Sequence, residues 1–378
     1  MRLLTPHVRE YCLLAILGVI VFVIVVFLAP NVASQVVTKE TVPEDALSKV
    51  VHLPTPPSVK GIYVTSYTPG NEKLFAPVLK ILKQTEVNAI VIDIKDYSGK
   101  ISYTIAEPLA LSFGATEKRV TDMPVLLATL HSMGIYTIGR IAAFQDPFMA
   151  HKKPEWAVKK KSDPSVIWKD HKGVSWVDPG SREYWKYLVS LARSAYGDGF
   201  DEINFDYIRF PSDGNMNDIY YPVSDGKVKA QVMRDFFAYV HRELSGTGVV
   251  LSADLFGMTT TNTDDLNIGQ VLEHALPYFD YIAPMVYPSH YPPGFNGYKN
   301  PAEKPYEVIK YTMDKAFARA STTPDKLRPW LQDFNLGATY GPDKVRAQIQ
   351  ATYDAGFDSW LLWNPRSVYT KEALLGKE

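Results

Sequence analysis

The sequence predicts a (β/α)8 barrel preceded by a single N-terminal membrane-spanning helix. Three observations carry that prediction. From Lys60 onward, short runs rich in β-branched and aromatic residues alternate with longer amphipathic ones, as βα units around a parallel sheet require. The chain has 378 residues, enough for one barrel of about 250 residues or more with extra segments. The stretch from Leu13 to Pro30, LLAILGVIVFVIVVFLAP, is apolar and uncharged, with Arg2 and Arg9 before it.

That N-terminal stretch comes first in the chain. About 20 apolar residues span a bilayer, whereas the apolar part of a cleaved signal peptide runs to roughly 7–15. Residues 1–30 therefore read as an uncleaved signal anchor, with cleavage near Val32-Ala33-Ser34 and secretion as the alternative. The positive-inside rule places everything after Pro30 on the extracytoplasmic side of the cell membrane. Residues 31–58, which include VPEDALSKVVHLPTPPS, read as a Pro-rich linker, and residues 59–378 as the barrel.

The expected strands are GIYVTS from Gly61, AIVIDIKD from Ala89, YTIGRIAAF from Tyr136, EINFDYIRF from Glu202, VVLSADLFG from Val249, YIAPMVYPS from Tyr281, RPWLQDFNL from Arg328 and SWLLWNP from Ser359. Helix-type stretches fall between them at Lys73–Glu86, Met123–Met133, Ser181–Ala195, Lys227–Leu244, Ile268–Ala275, Tyr306–Ala320 and Asp343–Ala355, several ending near Gly. An open doubly wound sheet is the other architecture with this alternation, but no Gly-rich phosphate-binding turn follows the first strand. The segment from Asp146 to Ser181 is too long for an ordinary connection and reads as an insertion at the active-site end.

Hydrophobic residues at 46%, charged residues at 21% and a formal net charge of −1 describe an ordinary globular chain and give no reason to expect nucleic acid as partner. The lone cysteine, Cys12, falls in the membrane segment, so neither a disulfide framework nor a thiol nucleophile is expected. The histidines show no metal-binding spacing, and no cofactor is expected.

In a barrel of this type the chemistry comes from the C-terminal ends of the strands. Asp206 lies late in the fourth strand and Asp254 late in the fifth, while Glu202, at the start of the fourth, is expected at the barrel floor. Asp93 and Asp96 on the second strand and Asp333 on the seventh are further candidates. Two carboxyl groups facing one bond, one as acid and one as nucleophile or base, are what glycoside hydrolysis needs, at about 5–5.5 Å for retention or roughly 6.5–9.5 Å for inversion. A buried carboxylate must be paired, and Arg140 and Arg209 are the expected counterions or substrate contacts. Arg209, close to Asp206 in sequence, is assigned to it, which leaves Asp254 to carry the raised pKa. Tyr63, Tyr287 and Trp363 at strand ends are candidate sugar platforms. A weaker alternative is metal assistance through Asp93 and Asp96.

These segments, GIYVTS, VIDIKDYSGKISY, GRIAAFQDP, WVDPGSREYW, FDEINFDYIRFP, LSADLFG, IAPMVYPSHY and WLLWNP, resemble the putative glycosyl hydrolase domain family, related to the α-amylase-like barrels. The resemblance runs from Val59 to Trp363. It implies a glycosidase with Asp206 as nucleophile and Asp254 as acid/base; with the export signal, the expected substrate is an envelope or exported polysaccharide or oligosaccharide. Two departures stand out: Asn204 where amylase-like enzymes carry an Arg, and an Asp where they carry a fifth-strand Glu. A catalytically inactive glycan-binding or envelope-scaffold module is the alternative.

Overall fold

The computed structural model describes residues 50–377. The expected membrane segment and residues 31–49 of the expected linker lie outside the described residues. Among the described residues no helix is long and apolar enough to cross a membrane.

Eight parallel strands close a barrel: β1 Lys60–Val64, β2 Ala89–Lys95, β3 Tyr136–Ala142, β4 Glu202–Asp206, β5 Val250–Phe256, β6 Tyr281–Met285, β7 Trp330–Gln332 and β8 Trp360–Trp363. Each neighbours the next in sequence, and β8 pairs back to β1. The expected (β/α)8 architecture is thus present, with every strand inside its predicted run except β1, which starts one residue earlier at Lys60. β2 and β3 are buried at every position, as strands covered by helices outside and by other strands inside must be.

The period-2 alternation sorts side chains into two cores. Tyr63, Val91, Tyr136 and Trp330 point into the barrel with Tyr287, whereas Ile62, Val64, Ile90 and Ile92 face the outer helices. Those helices are α1 Glu72–Gln84, α2 Met123–Ser132, α3 Arg182–Gly197, α4 Lys229–Leu244, α5 Leu272–Ala275, α6 Pro305–Ala320 and α7 Pro342–Asp354. Asn71 caps α1 by accepting the Leu74 N–H at 3.2 Å, and the helix buries Phe75, Val78, Ile81 and Leu82. No α-helix follows β8 among the described residues. Instead the C-terminal residues pair with the end of α1, through Glu86 N–H to Leu375 O at 2.9 Å and Lys377 N–H to Gln84 O at 3.1 Å.

At the floor, Arg328 donates to Glu202 at 2.5 Å, and neither side chain is more than 1% exposed. The described end of the expected linker runs beneath that floor. Leu53 N–H donates to Asp201 at 2.7 Å, and Thr55 and Tyr136 share a hydroxyl hydrogen bond at 3.0 Å. At the opposite end, the insertion after β3 carries a short helix, Pro147–Lys152, and a two-residue strand, Lys159–Lys160, that pairs antiparallel with Ile219–Tyr220 from the β4–α4 connection. Asp178 of the insertion accepts the N–H groups of Val223 and Ser224 at 2.7 and 3.0 Å, tying the two loops together.

Candidate active site

β4 explains itself in steps of two. Glu202, Asn204 and Asp206 all face the barrel interior, since alternate residues of a strand share a face. Glu202 is spent on Arg328 at the floor, Asn204 donates to Ser252 and Asp254 at 3.1 and 2.9 Å, and Asp206 ends the strand at the mouth. The next residue, Tyr207, adopts φ 53°, a left-handed conformation that costs a side-chain-bearing residue about 1–2 kcal/mol. Its N–H turns back onto Asp206 Oδ1 at 2.5 Å.

Arg140 on β3 joins the acids. It is paired in register with Asn204, so its side chain enters the layer just below Asp206. Its Nη2 and Nε both donate to Asp206 Oδ2, the latter at 3.2 Å, and Nη1 donates to Asp93 at 2.6 Å. Asp93 is held from its other side by the Tyr63 hydroxyl at 2.6 Å. Burial raises the Asp93 pKa, against the opposing pull of Arg140.

Asp254 on β5 is 1% exposed. Its Oδ1 accepts from Asn204 at 2.9 Å and from the Trp330 indole at 2.8 Å. Its Oδ2 accepts no hydrogen bond among the described residues and stands 3.8 Å from Arg140 Nε. Burial, and then the charge of Asp206, push the Asp254 pKa up to about 8. Because one nitrogen, Arg140 Nε, lies 3.2 Å from Asp206 Oδ2 and 3.8 Å from Asp254 Oδ2, those two oxygens are at most about 7 Å apart, the sum of the two distances, which is below the ~9.5 Å upper limit at which paired carboxyls act on glycosides.

Both carboxyls open on a cavity of about 480 Å³, also lined by Arg140, Arg209, Tyr287 and Trp363. Gly257, just after β5, keeps the wall thin, since a Cβ there would meet the Met285 carbonyl at 2.4 Å. Six of the expected site residues are therefore brought together. Asp93 and Tyr63 lie behind them without lining the cavity; Tyr63 stacks on Trp363 at 3.8 Å between ring centroids and supports that wall.

Asp96 and Asp333 are corrections. Asp96 accepts from Arg119 and from Ser98, fixing the loop after β2. Asp333 accepts the N–H and hydroxyl of Thr370 at 2.8 and 2.7 Å, anchoring the C-terminal segment. Asp93 and Asp96 also answer to separate guanidinium groups, Arg140 and Arg119, which leaves neither free to share a cation. Among the described residues no cluster of three or more His, Cys, Asp or Glu is placed to hold a metal. The counterion is a third correction: Arg140, not Arg209, pairs with Asp206. Arg209 donates to Phe210 O and to Ser212, both local groups.

Cavity residues that the sequence did not single out include Lys172, Phe256, Met258 and His290. Phe256 and Met258 follow Asp254 so closely that their place at the strand end was a usable signal. Lys172 comes from the long insertion, whose path over the mouth has no local pattern to announce it.

Residues 61–369 match the family described as a putative glycosyl hydrolase domain. A hypothetical protein from Ruminiclostridium thermocellum ATCC 27405 is 37% identical, the match covering 51% of this chain and 96% of that one at a TM-score of 0.47. The PgaB (BpsB) glycoside hydrolase domain from Bordetella bronchiseptica is 12% identical, covering 85% of this chain and 100% of that one at a TM-score of 0.62. Alpha-L-fucosidase isoenzyme 2 from Paenibacillus thiaminolyticus is also 12% identical, covering 84% and 48% at a TM-score of 0.56. At 12% identity the likeness is one of fold. No curated protein matches the chain.

Proposed function

The chain belongs to the putative glycosyl hydrolase domain family, and from that premise we propose that it hydrolyses glycosidic bonds of a polysaccharide or oligosaccharide with Asp254 as proton donor and Asp206 as nucleophile or base. One observation carries the reading. Two carboxyls from the ends of adjacent strands share a cavity, and the one that must donate a proton has its pKa pushed up to about 8.

The geometry supports a division of labour. Asp254 Oδ1 is committed to Asn204 and Trp330, so the proton belongs on Oδ2, the oxygen left for the glycosidic oxygen of the substrate. As that bond breaks, positive charge grows at the anomeric carbon. Asp206, fixed by two donors of Arg140 and the Tyr207 N–H, presents its lone pairs to that carbon or to a water attacking it. Once Asp254 has given up its proton, Arg140 Nε at 3.8 Å stabilises the new carboxylate. The arginine expected at 204 in amylase-like barrels has its counterpart here in Arg140, Asn204's register partner on β3.

The uncharged run before Pro30 supports an extracytoplasmic location for the barrel, tethered to the membrane by that run. The test of function is a panel of envelope and exported glycans offered to the wild-type chain and to Asp206→Asn. Turnover by the wild type, with loss of turnover but retained binding in the variant, supports the proposal. Binding without turnover in both supports an inactive glycan-binding module.

A further inference from the structure

Arg209 is a cation in the wrong surroundings for a structural residue. It is 8% exposed, lines the cavity and forms no ion pair among the described residues. Its Nη1 donates to Phe210 O at 3.0 Å and Ser212 Oγ at 3.1 Å, while Nε and Nη2 have no hydrogen-bond partner among the described residues. Nε and Nη2 share the edge of the guanidinium that grips a planar carboxylate with two parallel bonds. The aromatic rings of Trp176 and Phe256, 4.8 and 4.7 Å from its central carbon, fix the plane of the group.

A second cation faces the same cavity. Lys172, from the insertion, lines it with an ammonium that makes no ion pair among the described residues. Its charge, after burial, helps to lower the pKa of His290 on the same wall, so the two are close. Arg140 carries one charge against the two of Asp206 and Asp93, so Arg209 and Lys172 tip these groups to a net positive charge of one while Asp254 holds its proton. The free edge of Arg209 opens on the cavity rather than being sealed in protein, so a ligand entering there can complete it.

We propose that the substrate is an acidic glycan, with a sugar carboxylate gripped by the free edge of Arg209 and attracted by Lys172. This rests on the glycosidase reading and names its substrate class. Arg209 and Lys172 are then specificity determinants beside the cleavage site.

The test is binding of glucuronate and galacturonate against glucose and galactose to the full chain, followed by intrinsic tryptophan fluorescence, to which Trp176 beside Arg209 and Trp363 on the cavity wall both contribute. Acidic and carboxyl-reduced oligosaccharides, and a sulfated sugar, form the second arm. The uronates should bind at least about tenfold more tightly than the neutral sugars, the scale of a charge-assisted bidentate contact. Arg209→Gln should abolish the preference, Arg209→Lys should restore part of it, and Lys172→Gln, at an exposed position that folding does not need, should weaken it severalfold. Equal binding of neutral sugars, binding of neither class, or a preference that survives both Arg209→Gln and Lys172→Gln overturns the inference. Preference for sulfate over carboxylate overturns the assignment of a carboxylate. If neutral glycans are hydrolysed and acidic ones are not, the glycosidase reading stands and this inference falls; if uronates bind preferentially but nothing is hydrolysed, the reverse holds.

Discussion

Replacing Asp254 by Asn tests the electrostatics of the site without touching its shape. The amide oxygen can accept from Asn204 and Trp330 as Oδ1 does now, so packing is preserved. What disappears is ionisation. The folded-state pKa of Asp254 is raised from 3.8 to about 8, above its unfolded value, so the folded chain holds a proton that the unfolded chain has released. The stability this group contributes is full below about pH 4, falls as pH rises, and is gone once pH passes about 8. At about 1.4 kcal/mol per pH unit, some 4 kcal/mol of that loss falls between pH 5 and pH 8. Urea unfolding of both proteins at pH 5, 6.5 and 8 measures it. The difference should grow in favour of Asp254→Asn by about 4 kcal/mol from pH 5 to pH 8. A difference that is flat with pH, or that favours the wild type as pH rises, refutes the claim that Asp254 is a buried acid held protonated.

Arg140→Met should destabilise the fold by about 3–5 kcal/mol in the same assay, because it strands Asp93 and Asp206 without their shared cation. Glu202→Gln should cost a similar ~3–5 kcal/mol by stranding Arg328, yet leave the kcat of the surviving folded enzyme unchanged, since that pair lies at the floor. An export reporter fused after Ser58 should be active only outside the cytoplasm; activity inside it would contradict the proposed location.

The barrel was legible because strand-type and helix-type runs alternate from Lys60, with the one long insertion at Asp146–Ser181, and because strands buried on both faces leave long apolar runs such as AIVIDIK. Asp206 and Asp254 were legible as acids late in strands. Asp96 was not separable from them, because the register shifts between Asp93 and Lys95 and the alternation no longer tells which way a residue points. Asp333 directly follows its strand, but a C-terminal segment that folds back over it claims its oxygens. The misassigned counterion has a similar origin. Sequence proximity favoured Arg209, but the left-handed turn at Tyr207 redirects the chain, whereas Arg140, more than sixty residues earlier, is one strand away in register.

The roles of the two carboxyls are separated most directly by the leaving group. A dinitrophenyl glycoside departs without protonation, whereas a sugar leaving group needs the acid. Once a cleaved glycan is known, kcat/KM should be compared for its dinitrophenyl glycoside and for the natural linkage. Asp254→Asn should lose about 10²–10⁴-fold on the natural linkage but far less on the activated one, and Asp206→Asn should lose heavily on both. Equal losses on both substrates for Asp254→Asn, or a fully active Asp206→Asn, would contradict the assignment of this pair.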